Sequence, residues 1–163
     1  MDQNNTIDTN EILVRRGCYK SGALMWEDPY VNGREHGIGK GFYPSGALLW
    51  EAPYVDRKKH GMERGYYEPG ALCWDSPYVK GKMNGIARGY YPSGALKYET
   101  PYKNGKKHGI EKFYYESGAL HWVTSFVNGM QHGIEKVYYD KDKASIRRLT
   151  LYDKNRKVTS IKI

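Results

Sequence analysis

The sequence contains few cysteines and no long apolar run, and each of these absences excludes a class of protein. The only cysteines among 163 residues are Cys18 and Cys73, which lie too far apart in the chain to suggest a disulfide framework, so a reducing compartment fits. No stretch approaches the roughly 18 to 20 apolar residues that a membrane span needs. The opening MDQNNTIDTN has neither a basic start nor an apolar run, so no secretory signal is expected. We therefore expect a cytoplasmic protein without a transmembrane segment.

The apolar content is mostly aromatic. Hydrophobic residues make up 39% of the chain, and there are 16 tyrosines but only 3 phenylalanines. Tyrosine rings carry a polar tip and tolerate partial exposure. We expect no large dry core.

A fixed repeat dominates what is present. The glycines of an S/P-G-A-L motif and those of an H/N-G motif each recur every 24 residues. The first series is Gly22, Gly46, Gly70, Gly94 and Gly118, and the second is Gly37, Gly61, Gly85, Gly109 and Gly133. Such a period is typical of a repeat array rather than of one compact globule.

Each unit is expected to form a β-hairpin. A short aromatic run such as Met62 to Tyr67 is followed by the turn signal Glu68-Pro69-Gly70 and a second run from Ala71 to Val79. Nothing predicts a helix. Because an isolated hairpin is marginal in water, the units should pair edge to edge into an all-β, elongated, curved antiparallel sheet of consecutive hairpins. A proline recurs in the second strand and should mark a bulge or bend.

The domain organisation follows from the repeat. We expect residues 1–13 to form a polar, flexible N-terminus, residues 14–139 to form five repeats, and residues 140–163 to form a degenerate capping hairpin. Two apolar columns should run along the array. The first is Leu24, Leu48, Leu72, Leu96 and Leu120, and the second is Ile38, Met62, Ile86, Ile110 and Ile134.

The unit H-G-I-x-K-x-Y-Y-x-S-G-A-L-x-x-E-x-x-Y-x-x-G-K resembles the MORN repeat variant of the bacterial YwqK-family antitoxins. It is nearly intact in HGIEKFYYESGALHWVTSFVNGM and NGIARGYYPSGALKYETPYKNGK. The resemblance implies an elongated antiparallel sheet of hairpins and a role in neutralising a partner toxin. The chain departs from the pattern where Asn84 replaces the turn histidine and Arg57 replaces a turn glycine.

Catalysis and metal binding are not expected, and no cofactor is predicted. Four histidines share one phase of the repeat: His36, His60, His108 and His132. Neighbouring copies would lie roughly 10 Å apart, two strand spacings, whereas the ligands of one zinc all lie about 2 Å from it. A catalytic site likewise needs one cluster of unlike residues rather than one residue repeated along an array.

A binding surface remains as the candidate for function. Tryptophan, tyrosine and arginine dominate binding hot spots, and they recur here in columns beside a column of cations. We expect a non-enzymatic module that binds a protein partner, acidic or mixed in charge, with a toxin as one candidate. The candidate contact residues are Trp50, Trp74, Arg64, Arg88 and Lys112.

The net charge of +8 leaves an alternative open. The basic turns could associate with anionic lipid or nucleic acid, as a scaffold rather than a protein-binding module. Binding led by phosphates should collapse with added salt, whereas an interface centred on aromatic residues should persist.

Overall fold

A computed structural model of the chain describes residues 11–140 and 145–163, and every regular element in these ranges is a β-strand. Residues 1–10 of the expected flexible segment 1–13 lie outside the described residues, as do residues 141–144 of the expected cap. In chain order the strands are β1 Ile12–Cys18, β2 Leu24–Val31, β3 Arg34–Glu35, β4 Gly37–Phe42, β5 Leu48–Val55, β6 Lys58–Lys59, β7 Gly61–Tyr66, β8 Leu72–Val79, β9 Lys82–Met83, β10 Gly85–Tyr90, β11 Leu96–Lys103, β12 Lys106–Lys107, β13 Gly109–Tyr114, β14 Leu120–Val127, β15 Met130–Gln131, β16 Gly133–Tyr138, β17 Ile146–Asp153 and β18 Arg156–Lys162.

The strands form one antiparallel sheet in which each hairpin pairs with the next. Within a repeat the six-residue strand pairs with the eight-residue strand that follows, as β7 does with β8. Between repeats the pairing is shorter, as in β5 with β7. Among the described residues β1 pairs only with β2 and β18 only with β17, so the sheet is open. The expected all-β sheet of consecutive hairpins is confirmed.

Two kinds of turn join the strands. At the S/P-G-A-L end, Tyr67 donates its N–H to the carbonyl of Ala71 (2.9 Å), and Gly70 donates to the carbonyl of Tyr67 (2.7 Å). Gly70 has a φ of +95°, which an L-residue adopts only with strain. This conformation explains why the glycine of the motif recurs without exception.

The opposite end of each repeat carries a two-residue turn, and the short strand after it was not predicted from the sequence. Lys80 and Gly81 both have positive φ, 49° and 81°, which defines a type I′ turn. The turn is followed by a two-residue strand that pairs back onto the long strand. Each repeat therefore contains a second, very short hairpin. Arg57 occupies the second turn position at φ 66°, where most other repeats have glycine.

Hydrogen bonds between turns connect successive repeats. The N–H of Gly81 donates to the carbonyl of Lys59 (2.8 Å), and that of Gly105 to the carbonyl of Met83 (2.8 Å). At the other end the tyrosine before each S/P-G-A-L turn donates its hydroxyl to a carbonyl of the next repeat. This bond recurs five times, from Tyr19, Tyr43, Tyr67, Tyr91 and Tyr115 to the carbonyls of Phe42, Tyr66, Tyr90, Tyr114 and Tyr138.

The recurring proline does not produce the bulge expected within its own hairpin. Pro77 lies in register opposite Met62, and the register shift falls instead near Cys73, because Trp74 faces Gly65 while Leu72 faces Tyr66. The proline lies where pairing with the following repeat is interrupted. A residue without a backbone N–H loses nothing at a level where the ladder is already broken.

The core is a narrow row of small side chains. The central position of each long strand is buried from the second repeat onward, in Ala52, Ser76, Thr100, Thr124 and Thr150. No large side chain among the described residues is fully buried, as the composition predicted. Partly buried aromatic rings flank this row, so most apolar contact is made by amphipathic side chains.

Candidate functional site

The strand alternation separates the predicted contact residues into two sets on opposite faces. In the β7–β8 hairpin Gly65 lies opposite Trp74 and Arg64 lies opposite Asp75, and successive residues of a strand point to opposite sides of the sheet. Trp50 and Trp74 therefore lie on one side, which we call the aromatic face. Arg64, Arg88 and Lys112 lie on the other, which we call the isoleucine face after the column Ile38, Met62, Ile86, Ile110 and Ile134. No single surface of the sheet holds all five residues.

On the aromatic face the rings of Trp26, Trp50 and Trp74 each lie flat on a glycine of the neighbouring strand. A Cβ atom at Gly65 would come within 2.3 Å of Nε1 of Trp74, and one at Gly41 within 2.1 Å of Nε1 of Trp50. The rings are half-buried and cover the backbone of the neighbouring strand. These tryptophans therefore have a packing role, which reduces their availability to a partner.

The two most buried glutamates of the aromatic face, Glu63 and Glu111, are paired within the sheet. Glu111 is 4% exposed, and it accepts hydrogen bonds from Nζ of Lys107 (2.6 Å) and from the hydroxyl of Thr100 (2.8 Å). Lys107 also lies 4.8 Å from the ring centroid of Phe126. Lys59 and Glu63 repeat the ion pair two units earlier. These contacts tie strands together and leave the charges little freedom to bind a ligand.

The tyrosines that line this face resist ionisation. Burial, followed by the charge of Glu63, raises the pKa of Tyr78 to about 12. Burial also raises the pKa of Tyr54 and of Tyr98.

Alkaline pH is therefore expected to destabilise the array. A tyrosine whose pKa is higher in the folded than in the unfolded chain contributes stability that is complete below pH 10 and is lost as the pH rises through its folded value. Chemical denaturation from pH 8 to 12 should show a decline that begins near pH 10. In Tyr78→Phe the decline should be smaller by on the order of 1 kcal/mol after solvent screening, with little difference at pH 8. Phe126 already occupies the same column, so the substitution suits the fold. An equal decline in both proteins would contradict the assignment.

The isoleucine face exposes its apolar column to solvent. The exposed fractions are 51% for Ile38, 42% for Ile86, 53% for Ile110 and 51% for Ile134. The predicted second column does run along the array, and it is about half exposed because the described strands form a single sheet with no layer packed on this side. Apolar side chains in an uninterrupted row are typical of an interaction surface, whereas scattered ones are not.

Ion pairs run beside this row. Arg64 lies 3.2 Å from Glu51 and Arg88 lies 3.1 Å from Glu99. The hydroxyl of Tyr66 also donates to Glu51 (2.8 Å). The arginines of these pairs are partly exposed and the carboxylates less so, and ion pairs near the surface contribute about 0 to 1 kcal/mol to stability. The cations are thus held in position and remain available to a partner.

The charge balance of the isoleucine face changes toward the C-terminal end. A column of carboxylates runs along this face and ends at Glu99; its members are Glu27, Glu51, Asp75 and Glu99. The next two positions of the column are Val123 and Leu149, which lie on either side of Lys136. A shallow cavity of about 200 Å³ follows, lined by Ile134, Leu149, Leu151, Thr159 and Ile161. The last repeats therefore combine apolar side chains with cations that no carboxylate of the column offsets.

The type I′ turns form a third feature, a basic edge of the sheet. We use this name for the cation that follows each of the first four turns, namely Arg34, Lys58, Lys82 and Lys106. The stem of Lys58 packs on Gly81 of the next turn, where a Cβ atom on the glycine would lie 3.7 Å from Cβ of the lysine. Lys82 packs on Gly105 in the same way. The spacing of these cations is therefore set by the turns.

The histidines of the repeat lie exposed near this edge and are not brought together. Nδ1 of His108 accepts a weak hydrogen bond from the N–H of Asn128 (3.5 Å), and Nδ1 of His132 lies 3.4 Å from Asp153. In the part of the chain that the structure describes, no group of three or more His, Cys, Asp or Glu side chains could hold a metal ion. Nor do residues 11–140 and 145–163 contain a helix able to cross a membrane.

A family model described as the MORN repeat variant matches residues 83–104 and 107–121. The match covers most of the third full repeat and part of the fourth, and it supports the resemblance drawn from the sequence, as does the all-β array of hairpins. MORN repeats are generally modules that bind proteins or membrane lipids. No curated protein matches the chain.

Proposed function

We propose that the protein is a non-enzymatic module that binds a protein partner along the isoleucine face. The observation that carries the proposal is the row of half-exposed isoleucines beside Arg64, Arg88 and Lys112. Arginine is one of the residue types that dominate binding hot spots, and an exposed apolar row marks an interaction surface. The two tryptophans, Trp50 and Trp74, would support this surface from the opposite face rather than contact the partner.

The charge of the chain defines the chemistry of the partner. A net charge of +8 favours association with an acidic or mixed-charge protein, because complementary potentials steer encounter and suppress wrong partners. The resemblance of the repeat to the YwqK-family antitoxins supports a toxin as the partner, which the chain would neutralise by covering it. The two cysteines are free, which suits a cytoplasmic location.

The proposal is tested by reversing charges on the isoleucine face. Arg64→Glu combined with Arg88→Glu should weaken binding of the protein partner, captured by pull-down from a lysate of the source organism, by about 1 to 3 kcal/mol, the usual loss at a hot spot. The fold should persist, since the ion pairs that are lost lie near the surface. Affinity would be measured by calorimetry at physiological salt, and folding by circular dichroism.

The basic edge offers both the matched control and the second candidate function. Lys82→Glu combined with Lys106→Glu changes the net charge by the same amount.

Rigidly spaced lysines along one edge favour an anionic lipid surface or nucleic acid. If the edge variant loses binding, the face variant keeps it, and the bound material is lipid or nucleic acid retained only at low salt, the protein-partner proposal fails.

A further inference from the structure

A cavity of about 270 Å³ opens on the aromatic face at the C-terminal end of the array. Its lining residues are His121, Trp122, Val137, Arg147, Arg148 and Lys162. It lies on the opposite side of the sheet from the proposed partner surface, so it is independent of that function.

The residues of this cavity depart from the repeat in one direction, toward positive charge. Trp74 opposite Gly65 and Trp122 opposite Val137 illustrate the usual pairing of an aromatic ring with a small or apolar residue. In the last hairpin Arg148 occupies the position of the tryptophan, and Lys162 occupies the position of the residue opposite it. The two cations face each other across β17 and β18.

Two cations directly opposite each other on one face of a sheet destabilise it. Arg147, at the adjacent bulge position, adds a third cation. One carboxylate offsets them, because Nη2 of Arg148 lies 3.1 Å from Glu135. Among the described residues neither Arg147 nor Lys162 forms an ion pair, so two of the three cations that line the cavity are unpaired. Folding alone gives no reason for this arrangement.

The remaining walls suit an anion with a small substituent. His121 stacks on Tyr115 with 4.2 Å between ring centroids. Burial lowers the pKa of His121, and the charge of Arg147 lowers it further, against the opposing effect of Asp140. A neutral imidazole can donate one hydrogen bond without adding charge. Trp122 provides an apolar surface beside it.

We propose that this cavity binds the phosphate group of a small soluble molecule, held by Arg147, Arg148 and Lys162. A phosphate monoester carries close to two negative charges at neutral pH, which suits the two cations of the cavity that have no ion-pair partner among the described residues. Arginine recognises phosphate oxygens through paired N–H donors, and lysine binds them as a point charge. The volume is just below that of pockets for drug-sized ligands, which limits the substituent to a small one.

Calorimetry on the full chain, with inorganic phosphate and phenyl phosphate as probes at constant ionic strength, tests the proposal. Both probes should bind at one site, and tighter binding of phenyl phosphate would show that the aromatic wall takes part. Lys162→Gln should weaken binding about tenfold or more, since it removes a charged hydrogen bond. Lys58→Gln, the same change on the basic edge, should leave binding unchanged.

A second measurement separates the site from general attraction of anions. Because Lys162 is exposed, Lys162→Gln should fold, and without phosphate it should melt at a higher temperature than the wild type because repulsion from Arg148 is relieved. In NMR spectra phosphate should shift the indole N–H of Trp122 and leave those of Trp50 and Trp74 unmoved. Absence of saturable binding, an equal loss in Lys58→Gln, or equal shifts at all three indoles would overturn the proposal.

Discussion

Replacing Tyr43, Tyr67 and Tyr91 together with phenylalanine is expected to lower the free energy of unfolding by about 3 kcal/mol. Each hydroxyl donates to a backbone carbonyl of the next repeat at 2.8 Å. Each loss removes a hydrogen bond worth about 1 kcal/mol and leaves the carbonyl partly unsatisfied. The three sites lie in successive repeats, roughly 10 Å apart, so their effects should add.

Urea denaturation of the triple variant and of each single variant measures this effect. Tyr139→Phe is the control, since Tyr139 is 46% exposed and surface changes of this kind usually stay within about 0.5 kcal/mol. A triple variant as stable as Tyr139→Phe would show that these hydroxyls do not hold the repeats together.

Gly65→Ala should be the most damaging conservative change within one hairpin, with a loss of about 2 kcal/mol. The new Cβ would lie 2.3 Å from Nε1 and 2.4 Å from Cε2 of Trp74, so the ring must leave the strand that it covers. The φ of Gly65 is not positive, so the loss comes from overpacking and not from backbone strain.

A double-mutant cycle isolates this overpacking. Trp74→Leu removes the ring, so Gly65→Ala should cost much less in that background than in the wild type. Phe113 shows how the array accommodates a side chain at this level. Its ring meets that of Trp122 at 4.2 Å and an angle of 36°, so that tryptophan no longer lies flat. Equal costs of Gly65→Ala in both backgrounds would show that the ring is not the obstacle.

The hairpin array could be predicted because its determinants are local. The glycine of each S/P-G-A-L turn is required by its own backbone conformation, and the aromatic runs on either side have the composition of strands. The short strand after each type I′ turn was missed because two residues carry no periodic signal. The turn itself was visible as Asn104-Gly105 and Asn128-Gly129, pairs that favour this turn type.

The candidate site was harder to predict because it depends on register. Alternation within β7 already places Arg64 and Met62 on one side and Glu63 and Gly65 on the other. Placing Trp74 relative to Arg64 requires the bulge at Cys73, and one inserted residue moves every later side chain to the opposite face. No local sequence pattern predicts that bulge. The tryptophan column and the cation column were therefore assigned to one surface, although they lie on opposite faces of the sheet.

The central claim is that a protein partner lies on the isoleucine face across several repeats. NMR of the full chain tests it most directly, because the two faces carry different reporters. The methyl groups of Ile38, Ile86, Ile110 and Ile134 report on one face, and the indole N–H groups of Trp26, Trp50, Trp74 and Trp122 report on the other. When the captured partner is added at physiological salt, the signals of at least the central isoleucines, Ile86 and Ile110, should shift or broaden while the indole signals stay in place. Shifts confined to the indoles, with the isoleucine methyls unchanged, would contradict the claim.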